Sequence, residues 1–452
     1  MYNIVSKLII YGNMPKDSIL MELSSIIREY QESEEQIRDL NAGKIKENRA
    51  MIENKKGEII TRIYHQVKRI LIVATDYGFD DNLWHNYLTY LLITDENPFT
   101  LTCEKMGASE GSVNHFAEND FKQFQALFDY DFAPMEEVLG IDCFSQLEQY
   151  KSIGKPELMY NKNVSEKVRS LSKKLESATD EKEFFYYVTV FYKDYGVGMF
   201  GLNKAFRVIG GDNGVTFTPI NNMDKVTLDD LVGYEIQKKK LIDNTEAFVE
   251  GRKANNCLLF GDSGTGKSTS IKAIVNQYYD KGLRMIEIYK HQFKDLSNVI
   301  SAIKNRNYKF IIYMDDLSFE DFEVEYKFLK AVIEGGVETK PENILIYATS
   351  NRRHLIKENW SDRSDVKVQN GMHQSDTMEE KLSLVNRFGV TINYSKPTQK
   401  EYFEIAVELC RRAGVDMPEE EIRAEANKWE LSHGGISGRT AQQFANYLAG
   451  KR

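Results

Sequence analysis

One uninterrupted stretch, Cys257–Thr269, constrains the fold of this chain more than any other part of its sequence. Four apolar residues precede the loop Gly-Asp-Ser-Gly-Thr-Gly-Lys-Ser-Thr, which fits the pattern G-x-x-x-x-G-K-[ST] without a gap. This order predicts a buried strand, a glycine-rich loop and the start of a helix. In such a loop the backbone N–H groups can surround a phosphate chain, and the helix N-terminus adds favourable charge.

The side chains of this loop predict a nucleotide site. We expect Lys267 to lie opposite the β- and γ-phosphates of a bound nucleotide and the Ser268 hydroxyl to bind Mg²⁺. The residues expected to hold the nucleotide are Gly261, Asp262, Ser263, Gly264, Thr265, Gly266, Lys267, Ser268 and Thr269. A glycine-rich turn that matches by chance is the competing interpretation, but it leaves the acidic residues found downstream unexplained.

Alternating apolar and helical segments surround the loop. Predicted strands follow at residues 283–289, 310–314 and 343–349, with helical stretches between them. This alternation predicts a parallel sheet with helices on both faces. We therefore expect an α/β P-loop fold in which polar residues at the strand ends meet at one edge of the sheet.

Two carboxylates follow the third of these strands, counted from Cys257. Asp315 lies 48 positions beyond Lys267, and Asp316 comes directly after it. We expect Asp315 to hold Mg²⁺, directly or through water, and Asp316 to polarise the water that attacks the γ-phosphate, with Glu320 as a reserve base. An acidic helix cap is the alternative interpretation of the pair.

A polar residue also follows the fourth predicted strand. We expect Asn351 to lie between the phosphate loop and Asp316, where it could hold the attacking water or the γ-phosphate, and Ser350 is the second choice. An Asx turn that ends the strand is the alternative.

The length of 452 residues, of which 42% are hydrophobic, predicts two or three domains. Helical periodicity extends through almost all of residues 1–215, which predicts a mostly α-helical N-terminal domain. Residues 216–396 are expected to form the α/β nucleotide-binding domain. Helical patterns resume from residue 397 to 452 and predict a small helical lid.

A second glycine motif lies near the end of the predicted N-terminal domain. Gly196 to Gly201 fits G-x-G-x-x-G, but no βαβ pattern surrounds it and no acidic residue follows at a suitable distance. We interpret it as a tight turn that joins two domains rather than as a dinucleotide site.

Charge is distributed unevenly along the chain. Residues 1–220 carry 25 basic and 33 acidic side chains, whereas the remainder carries 34 and 35. Residues 101–150 alone carry 2 basic and 10 acidic side chains. Such a segment would repel a phosphate backbone, so nucleic-acid binding by the N-terminal part is disfavoured.

Cysteine spacing and hydropathy bear on the cellular compartment. The four cysteines lie far apart and include no C-x-x-C pair, which argues against a zinc site or a disulfide framework. The N-terminus lacks the layout of a signal peptide, and no apolar run approaches the ~18–20 residues of a membrane span. We therefore expect a cytoplasmic protein.

Together these motifs resemble the AAA+ ATPases. The resemblance extends from Leu228 to Leu448 and includes Gly233-Tyr234-Glu235, the run from Asp315 to Glu320, and the run from Tyr347 to Leu355. In detail they are similar to a bacterial AAA+ group that is catalogued as a domain of unknown function. The resemblance implies an ATPase that uses ATP and Mg²⁺, without indicating a physiological task.

The resemblance also implies roles for residues outside the phosphate loop. Arg387 corresponds to the arginine finger that reaches the nucleotide of a neighbouring subunit, and Arg439 to the sensor-2 arginine at the start of a lid helix. Val232 and Gly233 match the segment that lines the adenine pocket. A surface salt bridge is the alternative for each arginine, and self-association into a ring or partial ring is the implied assembly.

Two departures from the AAA+ pattern matter for mechanism. Asp316 stands where glutamate is commonest, which makes the expected base one methylene shorter. After the second predicted strand, the run from Lys290 to Phe293 lacks the aromatic-hydrophobic-glycine loop of threading unfoldases, so processive unfolding is disfavoured.

The sequence thus favours an ATP-hydrolysing switch that engages a protein partner through its helical N-terminal domain. A non-hydrolysing ATP-binding scaffold is a second hypothesis, which the aspartate at position 316 keeps open. A loader or remodeller acting on DNA is a third, suggested by the Asp-Asp pair and opposed by the acidic N-terminal part.

Overall fold

The computed structural model describes residues 1–44, 48–152, 162–211, 214–221, 223–319, 323, 325–334, 341–352, 355 and 384–451. The chain divides into two compact units, Met1–Asn203 and Lys204–Arg452. The polar, irregular composition of residues 355–380 predicts a long surface loop, but apart from Leu355 these residues lie outside the described part of the chain, as does Glu320. Along the described parts of the chain, no helix is both long and apolar enough to cross a membrane.

Helices supply the regular secondary structure described for the first unit, which confirms the predicted helical N-terminal region. They are α1 (Tyr2–Val5), α2 (Ile19–Asn41), α3 (Arg49–Tyr77), α4 (Leu83–Thr94), α5 (Pro98–Met106), α6 (Val113–Phe128), α7 (Ala133–Leu139), α8 (Cys143–Glu148), α9 (Lys162–Glu176), α10 (Glu181–Tyr195) and α11 (Gly198–Leu202). Side-chain caps define several of the starts. For example, the Ser18 hydroxyl accepts a hydrogen bond from the N–H of Met21, and the Asp180 carboxylate accepts from Lys182 and Glu183.

Within the first unit, a buried carboxylate holds the N-terminal segment against the helices. Asp120 is fully buried and accepts hydrogen bonds from the N–H groups of Ile9, Ile10 and Tyr11 at 2.7–3.0 Å. The Tyr11 hydroxyl lies 2.7 Å from that of Tyr192. Because buried polar groups need partners, these bonds specify how the segment packs on the helices.

The G-x-G-x-x-G motif forms the end of the first unit. Gly196 ends α10 with φ +76°, and the short helix α11 follows at once. The Val197 N–H donates to the buried carboxylate of Glu104 at 3.1 Å. The motif is therefore a turn built into the helical packing, and the first unit ends at Asn203.

A seven-stranded sheet forms the centre of the second unit. Its strands are β1 (Ala205–Gly211), β2 (Gly214–Pro219), β3 (Cys257–Gly261), β4 (Leu283–Glu287), β5 (Lys309–Met314), β6 (Ile344–Ser350) and β7 (Val390–Tyr394). The order is β2-β1-β4-β5-β6-β3-β7, and every pair is parallel except β1 with β2. The described α-helices of this α/β part are α12 (Glu235–Val249), α13 (Lys267–Tyr278), α14 (Leu296–Ile303) and α15 (Glu325–Glu334).

β1 and the first two residues of β2 lie within residues 1–215, which the sequence assigned to the helical domain. β1 pairs with β4, so the second unit begins at Lys204, earlier than the predicted boundary after residue 215. Both strands are short and rich in glycine or threonine, and β2 lies at the edge of the sheet with alternating exposure. Such a strand carries too weak an apolar pattern to be separated from a loop by sequence alone.

Strand order brings the predicted polar residues together. β6 lies between β3 and β5, with Leu259 opposite Thr349 and Met314 opposite Ala348. The phosphate loop and the ends of β5 and β6 therefore meet at one edge of the sheet. This topology confirms the predicted P-loop α/β fold.

Three helices form the lid, Gln399–Arg412, Glu419–Ser432 and Gly438–Gly450. They share a core of their own, in which Tyr402, Ile405 and Phe444 are buried. Thr398 and Glu401 form a capping box at the start of the first lid helix, and the Ser437 hydroxyl caps the third. The C-terminal part of the chain is therefore helical, as predicted.

A fragment beginning at Lys204 should fold alone, whereas one beginning at residue 216 should be less stable. The shorter fragment loses β1, with the fully buried Phe206, and leaves β4 without that neighbour. Removal of a buried phenylalanine side chain typically costs ~3–5 kcal/mol. Thermal unfolding followed by circular dichroism should give a cooperative transition for 204–452 and a lower or absent one for 216–452. Equal stability of the two fragments would place the boundary at residue 216 instead.

Candidate nucleotide-binding site

The phosphate loop between β3 and α13 is enclosed by distant parts of the second unit. A side chain at Gly261 would collide with the backbone of Tyr394, and one at Gly266 would lie 2.6 Å from Leu231. Both glycines have positive φ, +134° and +91°. Glycine is therefore required here by space as well as by backbone conformation.

Lys267 begins α13 and is only 7% exposed. Its Nζ donates to the carbonyl oxygens of Gly261 and Asp262 at 2.9 and 2.6 Å, and to Asn351 Oδ1 at 3.0 Å. Burial lowers the pKa of Lys267, while the carboxylate of Asp316 acts in the opposite direction. The structure thus holds an ammonium group at the loop, where it can face phosphate oxygens.

One carboxylate oxygen of Asp315 accepts hydrogen bonds from two hydroxyl groups. Ser268 Oγ donates to its Oδ1 at 2.7 Å, and Thr349 Oγ1 donates to the same atom at 2.6 Å. Burial alone would raise the pKa of Asp315, but hydrogen bonds, that of Thr349 foremost, bring it below its ordinary value. An ionised carboxylate beside a serine hydroxyl is a donor set that suits Mg²⁺.

Asp316 follows in an unusual backbone conformation. Its φ of +51° lies in the left-handed region, which aspartate enters more readily than most residues. Its N–H donates to Thr349 Oγ1 at 2.9 Å, and its Oδ1 accepts from Asn351 Nδ2 at 2.7 Å. Lys267, Asn351 and Asp316 are therefore joined in one chain of hydrogen bonds.

These groups face a cavity of ≈ 660 Å³, a size ordinary for a small-molecule site. Its walls come from the segment before α12, the phosphate loop, the ends of β5 and β6, and the lid. The lining residues are Asp230, Leu231, Val232, Tyr234, Ser263, Gly264, Thr265, Gly266, Lys267, Ser268, Thr269, Asp315, Asp316, Thr349, Asn351, Ile405, Leu409, Gly438, Arg439, Gln442 and Gln443. Charged groups and apolar side chains thus share one cleft, which suits a phosphorylated ligand that carries a flat apolar ring.

Four of the predicted contact residues are not among those that line the cavity: Gly233, Gly261, Asp262 and Ser350. Gly233 has φ +82° and precedes the wall residue Tyr234. The Asp262 carboxylate accepts the N–H of Lys396 at 2.9 Å, in the connection between β7 and the lid. Ser350 is fully buried and accepts the N–H of Arg352, so Asn351 rather than Ser350 reaches the cleft.

The two predicted arginines occupy different places. Arg439 lines the cavity at the start of the third lid helix, and its backbone N–H donates to the Gly264 carbonyl at 3.1 Å. Arg387 is half-buried, lies in a turn in which its backbone N–H donates to the Leu384 carbonyl, and does not line the cavity. One arginine therefore belongs to the cleft of its own chain and the other lies outside it.

Several residues of the site were missed by the sequence analysis. The Thr349 hydroxyl joins the Asp315 carboxylate to the backbone N–H of Asp316. Ile405, Leu409, Gln442 and Gln443 bring lid side chains to the cleft. The position of Thr349 next to the strand end Ser350-Asn351 was a usable signal, because a strand that delivers one polar residue to an edge can deliver its neighbours. The lid residues carry no local signal, since tertiary packing alone brings them to the loop.

Comparison with known proteins gives one family and a set of distant structures. Residues 202–452 match the family described as protein of unknown function (DUF815). A point mutant of RuvB from Thermotoga maritima is 18% identical with a TM-score of 0.35, over 49% of this chain and 64% of that one. The RuvB Holliday junction branch migration motor from the same organism is 16% identical with a TM-score of 0.32, over 50% and 72%. No curated protein gives a significant match.

Proposed function

We propose that this chain, which belongs to the family described as protein of unknown function (DUF815), is an AAA+ ATPase that couples Mg-ATP hydrolysis to remodelling of a protein partner. One arrangement carries the proposal. The hydrogen-bonded series Lys267–Asn351–Asp316 lies in the same cleft as the Ser268–Asp315 pair. Phosphate binding, metal binding and water activation each have a residue of suitable chemistry there.

The described residues divide the work of phosphoryl transfer. The N–H groups of the phosphate loop and the Lys267 ammonium would bind the phosphates, and Ser268 and Asp315 would hold Mg²⁺. Bound Mg-ATP supplies the phosphoryl group and the divalent charge that offsets its negative oxygens. Asp316 would take the proton of the attacking water, while Asn351 orients Asp316 and the γ-phosphate.

The remaining walls of the cleft would contact the nucleoside and connect the nucleotide to the lid. Leu231, Val232, Ile405 and Leu409 offer apolar surface for an adenine ring, with Gly233 shaping the adjoining backbone. Arg439 would contact the phosphates from the lid and so make lid position depend on the nucleotide. Its N–H bond to Gly264 supports this role.

Assembly and partner recognition are further parts of the proposal. Arg387 lies outside its own cleft, which suits a finger acting on a neighbouring subunit in a ring or partial ring. The first unit, with its acidic segment 101–150, would recognise a protein partner rather than nucleic acid. Four free cysteine thiols fit a reducing, cytoplasmic setting.

A non-hydrolysing scaffold is the second candidate, favoured by the shorter base at position 316 and by its bond to Asn351. Phosphate release from saturating Mg-ATP separates the two functions. The ATPase predicts turnover that needs Mg²⁺, whereas the scaffold predicts binding without release. The Lys267→Ala variant provides the blank for contaminating ATPases.

Lys267→Ala should weaken ATP binding by at least about a hundredfold, because it removes the ammonium group from several charge-assisted hydrogen bonds. The fold should survive, since the loop backbone is enclosed on several sides. Isothermal calorimetry measures the affinity, and thermal unfolding checks the fold. Lys272→Ala is the matched control, because Lys272 lies on the same helix but pairs with Asp224 outside the cleft. ATP binding by Lys267→Ala at parental affinity would refute the phosphate-loop assignment.

A further inference from the structure

We infer that Thr349 is a positioning residue whose single hydroxyl group sets both carboxylates of the site. The inference rests on the proposed function, because it assigns a role within the same cleft. Thr349 is the penultimate residue of β6, is 2% exposed and lies between β3 and β5 in the sheet. Its side chain therefore has few alternative orientations.

The hydroxyl is used in both directions. As a donor it binds Asp315 Oδ1 at 2.6 Å, and as an acceptor it binds the Asp316 N–H at 2.9 Å. A hydroxyl has one proton and two lone pairs, so its proton is committed to Asp315. The same atom thus links the expected metal ligand to the backbone of the expected base.

For Asp315, this bond completes a pair of hydroxyl donors. Ser268 approaches Oδ1 from α13 and Thr349 approaches it from β6. Two donors from different elements fix the plane of a carboxylate more closely than one does. Loss of the Thr349 donor would leave one hydroxyl of this pair, that of Ser268, which is itself an expected metal ligand.

For Asp316, the hydroxyl stabilises the left-handed conformation at φ +51°. Thr349 binds two successive N–H groups, that of Asp316 through its hydroxyl and that of Leu317 through its carbonyl at 2.7 Å. The carbonyl bond should keep the turn after β5 when the hydroxyl is removed. The hydroxyl bond adds the local constraint that directs the Asp316 carboxylate towards Asn351.

Substitutions at this position separate the hydroxyl from the shape of the side chain. Thr349→Val keeps the branched shape that suits a strand and removes the hydroxyl, whereas Thr349→Ser keeps the hydroxyl and removes the methyl group. Thr349→Ala is a second variant without a hydroxyl. Thr391→Val on β7 is the matched control, since Thr391 is exposed and does not line the cavity.

We expect Thr349→Val and Thr349→Ala to lower kcat for ATP hydrolysis by about ten- to a hundredfold, the size expected for a hydrogen bond to a charged group. Nucleotide affinity measured without Mg²⁺ should change less than about threefold, because the phosphate loop is untouched. Thr349→Ser and Thr391→Val should retain kcat within about threefold of the parent. A serine variant as slow as the valine variant would overturn the inference in favour of simple packing.

Hydrogen exchange tests the same bond without hydrolysis. In the nucleotide-free protein, residue-resolved exchange of the Asp316 amide should be at least about tenfold faster in Thr349→Val and Thr349→Ala than in the parent. Thr349→Ser should restore protection, and amides of β3 should be unaffected. Unchanged Asp316 exchange in both variants without a hydroxyl would overturn the inference. Absence of phosphate release from the parent would instead refute the proposed ATPase and leave this exchange measurement to decide the role of Thr349.

Discussion

Arg387→Ala is expected to lower the rate of ATP hydrolysis by about 10³- to 10⁵-fold while ATP affinity remains nearly unchanged. An arginine finger stabilises the charge that develops on the transferred phosphoryl group, so it acts in the transition state. Arg387 does not line the cleft of its own chain, and its backbone is held in a turn with Leu384 just before β7. The effect therefore requires a second copy of the chain, and specific activity should rise with protein concentration.

Mixing two inactive variants gives the sharper test of this role. Arg387→Ala subunits keep a sound phosphate loop, and Lys267→Ala subunits keep a sound finger. Mixed assemblies should regain part of the lost phosphate release, because some interfaces then combine an intact loop with an intact arginine. Mixed assembly is verified by light scattering and by capture through a tag on one variant.

The matched control is Arg423→Ala, which removes a lid arginine that pairs with Glu419 away from the cleft. It should retain parental turnover. Two results would contradict the trans-acting role: no recovery in verified mixed assemblies, or full activity of a parent that is strictly monomeric. Either result would favour the surface salt bridge at Arg387.

Asp316→Asn should bind ATP with near-parental affinity and yet lose almost all turnover. General-base catalysis typically contributes ~10²–10⁴-fold, and an amide cannot accept the proton. Asparagine also tolerates the left-handed conformation seen at φ +51° and can still accept the hydrogen bond from Asn351. The substitution therefore removes basicity with little change in shape.

Single-turnover phosphate release and calorimetric ATP binding separate the two effects in Asp316→Asn. Asp224→Asn is the control, because Asp224 pairs with Lys272 at the surface and not in the cleft. Parental turnover in Asp316→Asn would transfer the role of base to another group. If turnover is lost as expected, the inactive, ATP-bound form is the natural bait for capturing the partner of the first unit.

Local motifs made part of the site predictable from sequence. The phosphate loop, the Asp315–Asp316 pair and Asn351 each lie at a strand end, and strand ends in a parallel sheet converge on one edge. The lid helices were predictable because amphipathic periodicity and capping residues mark them. Short strands such as β1, β2 and β7 were not, because their apolar patterns resemble those of loops.

Other features depend on contacts between distant residues. Nothing local indicates that the Asp262 carboxylate accepts the N–H of Lys396, or that the Thr349 hydroxyl joins the Asp315 carboxylate to the Asp316 N–H. The hydrogen-bonding capacity of these side chains is evident from their chemistry, but their partners are set by tertiary packing. Sequence therefore identified polar side chains that line the cleft more fully than the contacts that support them.

Enclosure of the phosphate loop also has a consequence for folding. Asp262 and Lys396 are 134 positions apart, and the space at Gly264 is occupied by Ser437 and Arg439 of the lid. Contacts between residues so far apart in sequence raise the contact order of the fold. The chain must lose the entropy of closing long loops before these contacts can stabilise it. The loop should therefore reach its binding shape only when the lid has docked. A nucleotide at a hundred times its Kd would then stabilise the fully assembled unit by about 2.7 kcal/mol, and would act as a selective ligand for completely folded chains.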